Sequence, residues 1–163
     1  VKDANPDANI LQNNVNSFAD TGAGKTAANN MVANKADVIF HAAGGTGLGV
    51  IDACKEAGIW AIGVDSDQSK VAPKTILTSA MKRVDNAVYD EAKAVLDGEY
   101  KSGAKTYTLK DGGVDIAPTT DNLSEELLKE VEDVKAKIVA GEIKVPNNKA
   151  DFEAKYGDIY ELD

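Results

Sequence analysis

The chain has 163 residues and a formal net charge of −9, from 18 Lys and Arg against 27 Asp and Glu. That length suits one ordinary domain with a real core, and so acidic a surface disfavours nonspecific binding to nucleic acid or anionic membranes. One Cys and one His exclude an internal disulfide framework, a Cys-rich zinc site and a His-based metal centre, so neither metal nor other cofactor is expected.

In chain order, Ile10 to Val15 reads as a strand, and Thr26 to Asn34 as a helix with Ala27, Met31 and Val32 near one face. Val38-Ile39-Phe40 is a compact strand, of the kind buried on both faces of a parallel sheet. Val50 to Ala57 is helical and stops at Gly58, the usual C-terminal position. Trp60 to Val64 and Ile76-Leu77-Thr78 are further strands. Val84 to Leu96 is a helix whose Val84, Val88, Ala92 and Val95 recur at helical spacing before Gly98. Tyr107 to Leu109 and Val114 to Ile116 are weaker strands around Gly112-Gly113. Ser124 to Ala140 is the clearest helix, with Leu127, Leu128, Val131, Val134 and Ile138 as its apolar stripe. Lys149 to Tyr156 reads as a short terminal helix. Strands alternating with helices predict an α/β fold: an open parallel sheet with helices on both faces.

Gly22-Ala23-Gly24-Lys25-Thr26 imitates the end of a phosphate-binding loop, but the full pattern needs Gly where Ala19 stands. Asp20 within the run repels phosphate, because such a loop works by turning backbone N–H groups onto the anion. The same residues read simply as a helix start capped by Asp20 or Thr21.

The run Phe40-His41-Ala42-Ala43-Gly44-Gly45-Thr46-Gly47-Leu48-Gly49 is sharper. It leaves a strand and opens a helix, which places it at the carboxyl edge of the sheet, where open α/β folds bind ligands. It is not a dinucleotide fingerprint, since Gly45-x-Gly47 needs Gly at Val50. Asp65, ending the next strand, falls on the same edge and can accept two hydroxyl hydrogen bonds from a sugar diol. Lys82, beyond the strand at Ile76, can donate to a ligand there. The plainer readings are a tight turn, a solvated acid and an ordinary surface lysine. His41 reads as a structural hydrogen-bonder and Cys54 as a small core residue. No Ser-His-Asp or Cys-His set has workable spacing, so no enzyme is expected. The alternative is a small nucleotide- or dinucleotide-using α/β enzyme whose glycine loop holds phosphate.

Three ordered blocks carry a likeness: Asp37 to Gly47, Ala61 to Gln68, and Leu77 to Asp85. With Asn16-Ser17-Phe18-Ala19-Asp20, Gly112-Gly113-Val114 and Gly141 to Pro146, they resemble the basic membrane protein family of bacterial substrate-binding lipoproteins, also called the purine nucleoside receptor A family. The resemblance implies one lobe of a type I periplasmic-binding-protein fold, in which two α/β lobes joined by three crossovers clamp a ligand. It implies a purine nucleoside (adenosine, guanosine or inosine) delivered to an ABC permease, and an extracytoplasmic lipoprotein of the cell membrane whose anchor is absent from this chain. Carried over by residue, Asp65 holds ribose hydroxyls, Lys82 contacts the nucleoside, and Gly44 and Gly45 form the close-approach loop. Phe40 stacks on or lines the base, unless Phe18 supplies the aromatic instead.

Members of that family are about twice as long. By its topology, residues 1–80 and 105–163 form the C-terminal lobe, and 81–104 are the crossover and helix of an N-terminal lobe this chain lacks. The Val84–Val95 stripe is then left uncovered. Burial of each such side chain is worth ~1.5–3 kcal/mol, so the stripe is expected to find cover. The chain, which opens at Val1 without a leader, is therefore expected to be a fragment whose missing lobe is another polypeptide, cleaved material or a swapped copy.

Overall fold

The computed structural model describes residues 1–157, which form two compact units, one ending at Ser124 and one starting at Glu125. The first opens irregularly and then runs α1 (Thr21–Ala33), β1 (Val38–Phe40), a single 3₁₀ turn (Gly44–Thr46), α2 (Gly47–Ala57), β2 (Trp60–Asp65), β3 (Ile76–Lys82), α3 (Val84–Leu96) and β4 (Val114–Ile116). The second contains α4 (Glu125–Ala140) and α5 (Lys149–Tyr156).

The sheet order is β1-β2-β3-β4. The first three strands are parallel and β4 runs antiparallel to β3, so the α/β sheet is mixed. Its core is Ala28, Ile39, Val50, Ile51, Ala53, Cys54, Ala61, Ala72 and Ile76. Glycines let α1 approach α2 and the turn before it closely. A Cβ on Gly49 would lie 1.9 Å from the Thr21 carbonyl oxygen, and one on Gly24 would lie 2.2 Å from that of Thr46. These contacts explain why α1 begins at Thr21, upstream of the periodic segment. Asp20 caps it by accepting the Ala23 N–H at 2.9 Å, and packing of the Gly24–Ala28 face offsets the weak helix propensity of glycine. At its other end, α2 stops where Gly58 turns left-handed, φ 68°.

Two expected strands do not form. Ile10 to Val15 stays irregular. Its centre is Gln12-Asn13-Asn14, and the Asn14 side chain accepts the Asn16 N–H at 3.0 Å, with Asn16 at φ 55°. A local turn of this kind competes with sheet pairing. Tyr107 to Leu109 stays irregular and leads into a turn: the Thr108 hydroxyl donates to Asp111 at 2.6 Å and the Gly113 N–H to the Thr108 carbonyl at 2.8 Å. β3 in contrast runs on past Thr78 to Lys82, because β2 and β4 pair with it on both sides.

α3 occupies the expected residues but none of them is buried. Val84, Val88 and Val95 are all exposed, Val88 by 64%. In the second unit, α4 half-buries Leu128, Val131 and Ile138 of its stripe, and Asn148 caps α5 by accepting the Asp151 N–H. Among the described residues no helix is long and apolar enough to cross a membrane.

Candidate functional site

Parallel pairing puts the carboxyl ends of β1, β2 and β3 on one edge of the sheet. Register then decides which predicted site residues meet. Asp65 pairs with Met81, so Lys82 stands one residue further along the neighbouring strand, and its Nζ lies 2.7 Å from Asp65 Oδ1. Their side chains are 48% and 62% exposed. A pair so open to water adds at most about 1 kcal/mol to folding, which leaves both groups ready to turn to a ligand at little cost.

Phe40 pairs with Ile62, three residues short of Asp65. At about 3.3 Å per residue that sets it roughly 10 Å back along the strand direction. It lines a cavity of about 610 Å³ with Phe18, His41, Ala42, Ala43, Thr46 and the irregular segment from Leu11. Asp65 and Lys82 do not line that cavity. The expected hollow is thus two adjoining features on one sheet edge, an aromatic cavity and a charged pair. Phe18 belongs to the glycine loop: its carbonyl oxygen accepts the Thr46 N–H at 3.2 Å and lies 3.2 Å from where a Cβ on either Gly44 or Gly45 would sit. Phe18 is 76% exposed, more open than Phe40 at 55%. Phe18 lies in the irregular segment ahead of α1, not on a strand end, because the strand expected before it is absent.

The polar framework beneath this edge joins His41, read from the sequence as a structural hydrogen-bonder, and the turn after β2 to Gln68 and Thr119, which sequence reading passed over. His41 is 4% exposed, and its Nε2 is 3.0 Å from Gln68 Oε1. Burial pushes the imidazole pKa below its ordinary value, against the opposing influence of Gln68 and Asp65. The turn after β2 is pinned again at Asp67, which accepts the Thr119 hydroxyl at 2.6 Å and the Ser69 N–H at 3.0 Å. The Thr119 hydrogen bond, foremost, holds the Asp67 carboxyl below the usual carboxylate range. One signal did point to this framework: Gly63 interrupts an apolar strand, which marks a close approach by another group. Here the groups are Gln68 and Ser79.

The chemistry available is hydrogen bonding and stacking. Asp20 caps α1 with its own carboxylate, so the N–H groups after Ala19 face an acid and not a phosphate. Burial pushes the Cys54 thiol up to about 11, well away from a reactive thiolate. Among the described residues no group of three or more His, Cys, Asp or Glu can hold a metal ion.

The family model described as "ABC transporter substrate-binding protein PnrA-like" matches residues 1–149. A CD4+ T-cell-stimulating antigen of Listeria monocytogenes is 41% identical over 163 residues, covering 90% of this chain and 46% of the relative. Basic membrane protein A of Borreliella burgdorferi is 38% identical over 156 residues, covering 93% and 46%. The chain thus spans about half the length of these relatives. Among solved structures, an ABC transporter solute-binding protein from Aeropyrum pernix K1 superposes with a TM-score of 0.79 at 28% identity, over 96% of this chain and 55% of that one.

Proposed function

The chain belongs to the PnrA-like family of ABC transporter substrate-binding proteins, and from that premise we propose that it supplies one lobe of a clamp for a purine nucleoside. The observation that carries the reading is the Asp65–Lys82 pair at the carboxyl ends of two adjacent parallel strands. A carboxylate can accept two hydroxyls of a ribose, and an ammonium beside it can donate to a ring oxygen or nitrogen. The Gly44-Gly45 loop holds Phe18 beside this edge, with its ring open to stack on a base. Phe40 lines the adjoining cavity and closes the apolar wall.

In this reading residues 1–80 and 105–163 form the C-terminal lobe, and 81–104 belong with a second lobe. The exposed Val84-Val88-Val95 face supports it, as does the length of the relatives. The second lobe completes the ligand enclosure, so this chain alone binds nucleoside weakly, through one wall. Delivery to an ABC permease and an extracytoplasmic, membrane-anchored location follow from the same family reading.

Thermal melting with adenosine, guanosine and inosine against ATP and NAD tests it. A rise in Tm with nucleosides and none with the phosphorylated compounds is expected, since Asp65 faces the site with negative charge. A shift with ATP or NAD but not with nucleosides refutes it and restores a nucleotide-using enzyme.

A further inference from the structure

Asp65 sits in a backbone conformation that few residues adopt, with φ 67°, and the Ser66 N–H donates back to the Val64 carbonyl at 2.8 Å. A hydrogen bond spanning one residue of positive φ makes a three-residue turn of the rare, strained hand. Such a turn persists only where its surroundings over-determine it. Beyond the β2–β3 ladder, which pairs Asp65 with Met81, the restraint centres on Gln68. Gln68 Oε1 accepts the Val64 N–H at 3.0 Å and lies 3.0 Å from His41 Nε2. The Gln68 backbone N–H donates to Ser79 Oγ at 3.1 Å. Gln68 therefore links all three parallel strands, through His41 just past β1, the Gly63–Val64 peptide of β2 and Ser79 in the middle of β3. Gly63 makes the room: a Cβ there would lie 2.5 Å from both Gln68 Oε1 and Ser79 Oγ.

Hydrogen-bond polarity settles the protons. The backbone N–H of Val64 can only donate, so the Gln68 atom facing it is the carbonyl oxygen. That oxygen can only accept, so His41 carries its proton on Nε2. Its Nδ1 is then a bare acceptor, buried and without a hydrogen-bond partner.

We propose that Gln68 is the positioning residue of the strand-end site, and that the Nε2–H tautomer of His41 holds its carboxamide where it fixes the Asp65 turn. The proposal rests on the nucleoside reading for its effect on affinity, but not for its effect on the turn. Because His41 is the only histidine, its ring nitrogens can be read without assignment ambiguity. In the wild-type chain, ¹⁵N NMR is expected to show Nε2–H with unprotonated Nδ1 at neutral pH. The Nδ1–H form overturns the proposal before any variant is made.

Gln68→Met keeps the volume and removes the acceptor. Exchange of the Val64 amide is expected to accelerate about tenfold or more, as for one lost hydrogen bond. Nucleoside affinity, followed through the Asp65 and Lys82 amide shifts, is expected to fall about tenfold. Gln68→Glu keeps an acceptor for Val64 and is expected to restore slow exchange of that amide, which a merely space-filling role does not require. Unchanged Val64 exchange in Gln68→Met overturns the proposal. So does unchanged affinity alongside faster exchange. If the wild-type chain binds no nucleoside, the nucleoside reading fails, while the tautomer and exchange results still decide the role of Gln68 in the turn. If Gln68→Met does not fold, the wild-type tautomer and Gln68→Glu decide it.

Discussion

Asp65→Asn separates binding from folding most cleanly. Asn tolerates positive φ as well as Asp does, so the turn at φ 67° survives the change. The ion pair with Lys82 is lost, but both side chains are about half exposed, and such pairs contribute roughly 0.2–1 kcal/mol. The midpoint of urea unfolding should therefore move by no more than that corresponds to. Binding should suffer far more. A carboxylate accepts from two ribose hydroxyls, whereas a carboxamide offers one oxygen and turns an N–H₂ toward the other hydroxyl. The loss is one hydrogen bond to a charged group, about 1.5–3 kcal/mol, or roughly 10- to 150-fold in affinity. In the isolated chain, where one wall supplies every contact, this removes detectable nucleoside binding by NMR titration. Equal affinity for wild type and variant, with the fold intact, refutes the role given to Asp65. A loss of stability well above 1 kcal/mol would show instead that the pair is structural.

Three further outcomes follow from packing and charge. Gly49→Ala places a methyl 1.9 Å from the Thr21 carbonyl oxygen; the overpacking cost of ~1–3 kcal/mol or more exceeds the ~1 kcal/mol gain in helix propensity, so urea denaturation should show a net loss, and a more stable variant refutes the close α1–α2 contact. Burial depresses the folded pKa of His41, so below about pH 6.5 the unfolded chain binds a proton that the folded chain refuses. Stability is then present above that pH and falls as pH drops toward the folded pKa; His41→Gln should flatten the slope between pH 7 and 5.5. Cys54, fully buried and with its pKa pushed up to about 11, should react with thiol reagents only at the rate of opening, so labelling that is fast in native buffer and indifferent to urea contradicts its place in the core.

Composition and periodicity were enough to place most of the frame. The alternation of Val38–Phe40, Trp60–Val64 and Ile76–Thr78 with amphipathic stretches could only be satisfied by parallel strands covered by helices, and α3 falls on the residues its spacing predicts. The same letters placed Asp65 and Lys82 at strand ends, since a strand's polar exit is visible locally. Sequence reading could not decide whether a short apolar run finds a partner. Ile10 to Val15 has strand-like ends, but its Asn-rich centre bonds locally, and only the assembled chain shows the turn prevailing. Strand register was equally hidden, because pairing depends on both chains of a ladder; it is register that joins Asp65 to Lys82 and sets Phe40 back from them. The contacts of His41 with Gln68 and of Thr119 with Asp67 bring together residues 27 and 52 positions apart. Hydrogen bonds over such separations leave no periodic trace, so beyond the interruption at Gly63 the framework under the site became visible only in three dimensions.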